Sequence, residues 1–344
     1  MKRFLLMTLL VALGASQAHA TAFEANTGRL PLSVREVERS LLLSKGWLEI
    51  GLGVDWKDAR GFWTADGEKG YWTDTGLADG EPTAQWTYST ERMDLRYGIT
   101  RRSEVYWTMP FHYLHLQNPF LGTDTATFGL GDPILGYKYE VYGHTAPTTS
   151  VVVLAQLKLP AGNESPGQYV GGPYTVSQFV LSTGTPDYTL GVRGKQQFGP
   201  VAALVGLGYT YRMSAVAQYV IEVTEYQFSG RIKPGSFVWG DLGVQVGLGP
   251  VCLLGDLRYQ KRAETMIGTT GEQFLGNNQL VAVAGSDGWS LDADAGVLVN
   301  LTRGVDIQAG VGIPVRGEDL QFFPLESIQP TRGLTYSGTL KLRY

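Results

Sequence analysis

Apolar and polar residues alternate with a period of two along most of this chain. In the segment WLEIGLGVDW (Trp47–Trp56) one alternate set is apolar and the other contains glycines and acids; the apolar set is Leu48, Ile50, Leu52, Val54 and Trp56. A β-strand turns successive side chains to opposite faces, so this period is typical of a strand with one apolar and one polar face. We therefore expect an all-β fold.

About twelve segments repeat the pattern, and each is close to or slightly above the ~9 to 11 residues that cross a bilayer as a tilted strand. They are Trp47–Trp56, Trp86–Ile99, Glu104–Tyr113, Gly129–Tyr142, Thr149–Pro160, Asp187–Phe198, Val201–Arg212, Ser236–Leu248, Val251–Gln260, Trp289–Leu301, Val305–Arg316 and Gly333–Tyr344.

The connections between these segments alternate in length. The short ones are Ile99–Ser103, Gly143–Thr148, Gly199–Pro200, Gly249–Pro250 and Thr302–Gly304, and the long ones are Lys57–Gln85, Leu114–Phe128, Ala161–Pro186, Met213–Gly235, Lys261–Gly288 and Gly317–Arg332. Short turns on one rim and long loops on the other predict a transmembrane antiparallel up-and-down β-barrel over residues 47–344. An even strand number returns both termini to one rim, which we expect to be periplasmic.

Aromatic residues of the apolar parity fall into two bands, as expected for girdles at the two membrane interfaces. Near the long loops lie Trp56, Phe111, Tyr113, Tyr188, Tyr209, Tyr211 and Tyr259, and near the short turns lie Tyr97, Tyr137, Tyr139, Phe198 and Tyr344. A soluble β-sandwich also alternates and is the alternative fold. Glu91 and Trp47 break the parity of their strands, which suggests a bulge or a strand edge outside the hydrocarbon.

The N-terminus has the features of a secretory signal. Lys2 and Arg3 precede an apolar run that ends at Leu13, and the motif Ala18-His19-Ala20 predicts cleavage after Ala20. Residues 21–46 lack the alternation and are expected to form a periplasmic arm or a plug. No later apolar run reaches the ~18 to 20 residues of a membrane-spanning helix. We therefore expect the protein in the bacterial outer membrane.

The polar faces of the strands predict a charged lumen with two unlike walls. The fourth to seventh segments contribute Lys138, Lys158, Arg193, Lys195 and Arg212 against Glu140, and the eighth to eleventh contribute Asp241, Asp256, Asp292, Asp294 and Asp306 against Arg258 and Arg316. Opposed walls of this kind would set a transverse field that selects solutes. The alternative is that the charges pair across the barrel and hold it closed, since unpaired buried charges are costly.

Enzymatic and metal chemistry find little support. The chain has four histidines and one cysteine, Cys252, so a cysteine-cluster metal site and an intramolecular disulfide are excluded. Only His112 faces inward as a candidate base, and no serine motif accompanies it. The pair Asp292-x-Asp294 is a weak cation signal. We expect neither catalysis nor a cofactor, and the net charge of −4 argues against nucleic acid as a partner.

Three stretches resemble a known family. ERSLLLSKGWLEIGLG (Glu38–Gly53), GLGDPILGYKYEVYG (Gly129–Gly143) and LAQLKLPAGNES (Leu154–Ser165) are similar to the outer-membrane transporters named after the meta-pathway of phenol degradation, although Ala161 stands where threonine is usual. The resemblance implies a barrel that passes small compounds, aromatic ones among them, between the exterior and the periplasm.

Together these observations predict a passive outer-membrane channel for small solutes. The alternatives are a closed barrel with a structural or surface-binding role, favoured by aromatic-rich loops such as Gly61–Gly76 and Val220–Gly230, and a lumen hydrolase built on His112. The expected partners are outer-membrane lipid, a small solute and the outer-membrane assembly machinery, which would read the last strand and its terminal Tyr344.

Overall fold

A computed structural model describes residues 41–63, 69–73, 76–77, 85–118, 123–143, 148–161, 185–221, 226–264, 266–269, 280–282, 287–318 and 332–344. Twelve long antiparallel strands form a closed barrel. They are numbered along the chain as β1 Leu48–Trp63, β2 Gln85–Thr100, β3 Ser103–Asn118, β4 Ile134–Tyr142, β5 Thr149–Lys158, β6 Asp187–Phe198, β7 Val201–Arg212, β8 Phe237–Leu248, β9 Val251–Arg262, β10 Gly288–Thr302, β11 Val305–Glu318 and β12 Arg332–Arg343. The predicted fold class and strand number are confirmed.

The last strand closes the barrel against the first. β12 pairs with β1 from Glu49 opposite Arg343 to Gly61 opposite Arg332. Beyond the strand end, Tyr344 and Leu48 exchange two backbone hydrogen bonds of 2.9 and 3.1 Å. Because this pairing satisfies the backbone groups of both strands, the wall has no open edge at the seam.

Burial is inverted relative to a soluble protein. The least exposed side chains include Glu104 at 0%, Arg212 at 1% and Asp306 at 1%, whereas outward residues such as Leu190 at 67% and Leu207 at 66% are open. Charged residues lie inside the ring of strands and large apolar residues lie outside, as in a barrel surrounded by lipid. The sandwich alternative is wrong, because the apolar faces point outward and share no common core.

The aromatic residues assigned to girdles all point outward. Trp56, Tyr97, Tyr137, Tyr139, Tyr209, Tyr211, Tyr259 and Tyr344 are exposed. Trp47 lies before β1, which accounts for its phase. The suggested bulge at Glu91 is wrong, because β2 pairs without interruption with Val54 on one side and Phe111 on the other.

The fourth predicted strand is broken in the structure. Thr123–Leu130 pairs with the upper half of β3, and β4 pairs with the lower half. Between them lie Gly131, Asp132 and Pro133, outside any strand. Gly131 still donates a backbone hydrogen bond of 2.9 Å to the Pro110 carbonyl. The stretch Gly129-x-Gly131-Asp132 therefore marks a bend in the wall.

Additional strands extend the wall at the long-loop end. Lys69–Thr73 and Gly76–Leu77 continue from β1. A separate four-stranded sheet contains Ala215–Ile221, Tyr226–Lys233, Met266–Thr269 and Val281–Ala282 in that order. Its first two strands pair from Ala215 opposite Ile232 to Ile221 opposite Tyr226. None of the described residues forms a helix long and apolar enough to span a membrane.

Candidate functional site: the barrel lumen

A cavity of about 430 Å³ occupies the lumen. Most of its lining residues carry a charged or hydrogen-bonding group, and apolar parts of their side chains also face the cavity. They include Glu49, Asp55, Thr90, Arg92, Asp94, Arg96, Tyr106, Thr108, Pro110, His112, Asp132, Ile134, Lys138, Leu154, Gln156, Lys158, Asp187, Thr189, Arg193, Thr210, Phe237, Trp239, Asp241, Arg258, Gln260 and Lys341. These residues come from most of the strands because every strand sends its polar parity inward.

A network of ion pairs crosses several strands at the short-turn end. Arg96 on β2 contacts Glu49 at 2.9 Å and Glu104 at 2.8 Å, and Lys138 lies 3.4 Å from Glu104. Arg343 joins Glu49 at 2.5 Å. Each carboxylate is almost fully buried, so the cations compensate charges that water does not reach.

Residues 41–46 lie in the mouth that this network surrounds. Leu41 and Leu43 are buried. The Leu43 amide donates a hydrogen bond of 2.6 Å to Oε2 of Glu104, and Lys138 Nζ donates one of 3.5 Å to the Leu41 carbonyl. Gly46 donates its amide to the Gly98 carbonyl at 2.7 Å. The segment before β1 is thus tied to the lumen wall by its backbone.

An apolar cluster fills another part of the short-turn end. Leu204 on β7, Cys252 and Leu254 on β9 and Leu298 on β10 are all buried and pack together. All four lie close to the short turns that connect these strands. The lumen is therefore filled by side chains on this side.

A second group of charges occupies the middle of the lumen on β1 and β2. Arg92 contacts Asp55 at 2.5 Å and Asp94 at 3.0 Å. Its Nη2 also donates a hydrogen bond of 3.2 Å to Thr339 Oγ1. Asp94 also accepts a hydrogen bond of 2.6 Å from the Thr108 hydroxyl. Arg92 thereby links β1, β2 and β12 across the seam.

A third group lies at the long-loop end. Lys158 at the end of β5 contacts Asp187 at 2.8 Å and Asp132 at 3.3 Å. Arg212 at the end of β7 lies 3.4 Å from the same Asp187 and 5.4 Å from the Phe237 ring centroid. The Asp132 of the Gly-x-Gly-Asp stretch thus supplies a buried counter-charge to β5.

His112 is held among hydroxyl groups. Its Nδ1 lies 2.6 Å from the Tyr88 hydroxyl and 3.0 Å from Thr90 Oγ1. A Cβ at Gly131 would lie 2.2 Å from Nε2 of His112, so only glycine leaves room for this ring. These contacts place His112 as a buried polar residue of the wall.

The structure separates the ten predicted lumen residues into two groups. Lys138, Lys158, Arg193, Asp241 and His112 line the cavity, whereas Lys195, Arg212, Asp256, Asp292 and Asp294 lie outside its lining. Acidic residues neutralise part of the predicted basic wall, because Asp132 and Asp187 face inward beside Lys158. Apart from Arg92 and Asp94, which share β2, the ion pairs named above join neighbouring strands, as Arg258 on β9 and Asp294 on β10 also do. None of these named pairs reaches across the lumen.

Inward aromatic residues, among them Tyr106, Phe237 and Trp239, escaped the sequence analysis. Tyr106 shares the parity of Glu104, and Trp239 shares the parity of Asp241, and both line the cavity. Asp187 and Asp132 were also overlooked as lumen charges. The alternation would have revealed Tyr106, Trp239 and Asp187, because it fixes the face of every residue in a strand. Asp132 lies in the break, where the period gives no information.

Comparison with known proteins agrees with this architecture. The sequence profile of the family described as "Putative MetA-pathway of phenol degradation" matches residues 73–182. This range contains two of the three stretches on which the resemblance rests, Gly129–Gly143 and Leu154–Ser165, so the resemblance is confirmed. No protein with a curated description matches the sequence.

Solved structures share the fold at low sequence identity. The COG4313 outer membrane channel from Pseudomonas putida F1 is 13% identical, with a TM-score of 0.66 over 90% of this chain and 100% of that one. The transport unit of the autotransporter AIDA-I from Escherichia coli is 10% identical, with a TM-score of 0.50 over 95% and 99%. The Ralstonia pickettii toluene transporter TbuX is 9% identical, with a TM-score of 0.42 over 88% and 90%. The first two similarities establish an outer-membrane barrel fold and nothing about cargo.

Proposed function

We propose that this protein is an outer-membrane channel through which small solutes, aromatic ones among them, pass passively between the exterior and the periplasm. The observation that carries the proposal is the combination of a closed barrel, an apolar outer surface and a cavity within the ring of strands that charged and aromatic residues line. A barrel whose only role is structural has no need of a cavity of about 430 Å³ lined by charges.

The orientation follows from the position of the barrel's two ends. Leu48 and Tyr344 are paired at the rim that carries the short turns. In bacterial barrels short turns face the periplasm and long loops face the exterior. We infer that both ends of the barrel are periplasmic, that a signal is removed after Ala20, and that β12 with Tyr344 is the element engaged during membrane assembly.

We further infer that residues 41–46 act as a stopper in the periplasmic mouth. Their support is the burial of Leu41 and Leu43 and the hydrogen bonds to Glu104 and from Lys138. This segment narrows the lumen. Because only hydrogen bonds and packing hold it, it can leave the mouth again. The channel would conduct weakly until this segment moves.

The test is conductance of the refolded mature chain in planar lipid bilayers, with a variant that expels the stopper. A Cβ at Gly98 would lie 2.1 Å from the Ser44 carbonyl oxygen. The valine of Gly98→Val would therefore clash with residues 43–44 and displace them. We expect Gly98→Val to raise the single-channel conductance several-fold. The matched control is Gly255→Val, because open space surrounds the Cβ position of Gly255 in β9.

The outcomes separate a channel from a closed structural barrel and test the stopper independently. Heat-modifiable gel migration first establishes that each protein is folded as a barrel. Folded protein that passes no ions or solutes, with or without Gly98→Val, would leave the closed structural barrel as the function. Equal conductance of wild type and Gly98→Val would retain the channel and reject the stopper.

A further inference from the structure

Two inward aromatic rings in the lumen share one construction. Tyr106 on β3 lies over Gly136 of β4, where a Cβ would come 2.0 Å from Cζ of the ring. Trp239 on β8 lies over Gly208 of β7 and Gly191 of β6, where a Cβ would come 2.3 and 2.9 Å from Cζ2. Rigid rings cannot move aside easily, so the glycines are what allow each ring to rest against the wall.

Each ring also has a cation beside it. Nζ of Lys138 lies 5.3 Å from the Tyr106 centroid, and Cζ of Arg193 lies 5.8 Å from the Trp239 centroid. Both distances fall within the range of cation–π attraction. Tyr106 is fixed further by a hydrogen bond from Gln156 to its hydroxyl. Each site therefore combines an ordered aromatic ring with a positive charge held over it.

The two sites lie at different heights along the barrel axis. Trp239 lies near the start of β8, which follows a long loop, and Tyr106 lies near the start of β3, which follows a short turn. Both border the same cavity, whose volume is within the range of small-molecule sites. A ring entering from the long-loop side would meet Trp239 first and Tyr106 second.

The lining of the cavity suits a ring that carries a polar substituent. Carboxylates, cations and side-chain amides such as Gln156 and Gln260 line the cavity together with apolar groups. A solute with both an aromatic plane and a hydroxyl or carboxylate substituent matches this mixed lining, because polar groups that lose water regain hydrogen bonds from it.

We propose that Trp239 and Tyr106 are two successive ring-binding sites for small planar aromatic acids, with Arg193 and Lys138 providing the charge that favours the carboxylate. This proposal rests on the proposed channel function and names its solute class. Contact with the Trp239 indole holds the ring, and the nearby cations select for an ionised substituent over a bare ring.

The experiment measures block of ion current in planar bilayers by three probes added on the long-loop side. They are 4-hydroxybenzoate, cyclohexanecarboxylate, which has the same charge and no aromatic plane, and toluene, which has the plane and no charge. We expect 4-hydroxybenzoate to block at a concentration several-fold below that of the other two. Trp239→Ala should weaken this block by about 3- to 10-fold, and Trp239→Phe should preserve most of it.

Two further variants keep the test independent of local packing. Gly208→Ala places a Cβ against the indole and should weaken the block as Trp239→Ala does. Trp107→Ala is the matched control, since Trp107 lies beside Tyr106 on the outward parity of β3, and it should leave the block unchanged. Unaltered migration on gels shows that each variant remains a folded barrel.

The failures are distinguishable. Equal block by 4-hydroxybenzoate and cyclohexanecarboxylate, or a block unaffected by Trp239→Ala, would overturn the ring-binding sites while the channel stands. A block by toluene equal to that by 4-hydroxybenzoate would overturn the preference for acids. If the folded protein passes no current, the channel function is rejected. Calorimetric titration of the detergent-solubilised barrel with the same probes then tests the binding proposal by itself.

Discussion

The two ends of the lumen are built by different means. At the short-turn end, the Arg96 network, the apolar cluster around Leu254 and residues 41–46 all occupy the space within the strands. At the long-loop end, the described residues contribute the ion group of Lys158, Asp187 and Arg212, with His112 nearby. The first end uses a segment of chain that a modest change could displace, whereas the second uses side chains fixed to the wall.

This difference teaches where regulation can reside. Side chains that join neighbouring strands stabilise the barrel and cannot leave without breaking it. A segment held by a few backbone hydrogen bonds can leave while the barrel remains intact. Changes at the short-turn end should therefore affect both stability and conductance, and changes at the long-loop end should affect stability alone.

The largest effect is expected from deletion of Leu342–Tyr344. The deletion removes Arg343, which contacts Glu49 at 2.5 Å and Asp306 at 2.8 Å, and it removes the pairing of Tyr344 with Leu48. The seam between β1 and β12 would then lose its hydrogen bonds at the short-turn rim. We expect most of the protein molecules to fail to insert. The measurement is the folded fraction in outer-membrane extracts by heat-modifiable migration. Normal insertion of the shortened chain would show that the short-turn end does not depend on the seam.

Glu104→Ala tests the short-turn network directly. The variant leaves Arg96 and Lys138 without a carboxylate that both contact, and it removes the acceptor of the Leu43 amide. We expect the free energy of unfolding to fall by about 3 kcal/mol and the conductance to rise as residues 41–46 loosen. Urea titration in detergent and bilayer recording measure the two effects. Glu91→Ala, which removes an exposed acid of the outer face, is the control and should leave both unchanged.

Arg212→Met makes the corresponding change at the long-loop end. Asp187 keeps Lys158 at 2.8 Å, so the variant loses one contact of 3.4 Å and the cation–π contact with Phe237. We expect a loss of about 1 to 2 kcal/mol of unfolding free energy and an unchanged conductance in the same two assays. A conductance rise equal to that of Glu104→Ala would remove the distinction between the two ends.

The sequence contained most of the fold because the alternation repeats in every strand. Twelve strands, the closing pair and the outward aromatics all follow from the period of two. The two-residue turns are also legible, since Gly199 and Gly249 adopt φ of 60° and 63°, a conformation that favours glycine. Strand ends were less accurate: β1, predicted to end at Trp56, continues to Trp63.

The partners of the lumen charges were not accessible in this way. Alternation tells which face a residue occupies, but the pairing of Lys158 with both Asp132 and Asp187 depends on a bend at residues 131–133 that no period describes. The sequence also left a periplasmic arm and a plug as equal expectations for residues 21–46, since the contacts of residues 41–46 with Glu104 and Gly98 are made far along the chain. Restricting the predicted lumen to charged residues and histidine also left Tyr106 and Trp239 out.

The smallest effect is expected from His112→Gln, which tests whether the long-loop end has a chemical role. The introduced amide can still bond to a hydroxyl such as that of Tyr88 or Thr90, so we expect about 1 kcal/mol of lost stability or less. Neither wild type nor variant should hydrolyse p-nitrophenyl esters, because the hydroxyls on Nδ1 fix the ring as part of the wall. Ester turnover present in the wild type and lost in the variant would make the long-loop end a catalytic site. The comparison would then be between a gate and a reaction centre, and the passive channel would no longer describe the molecule.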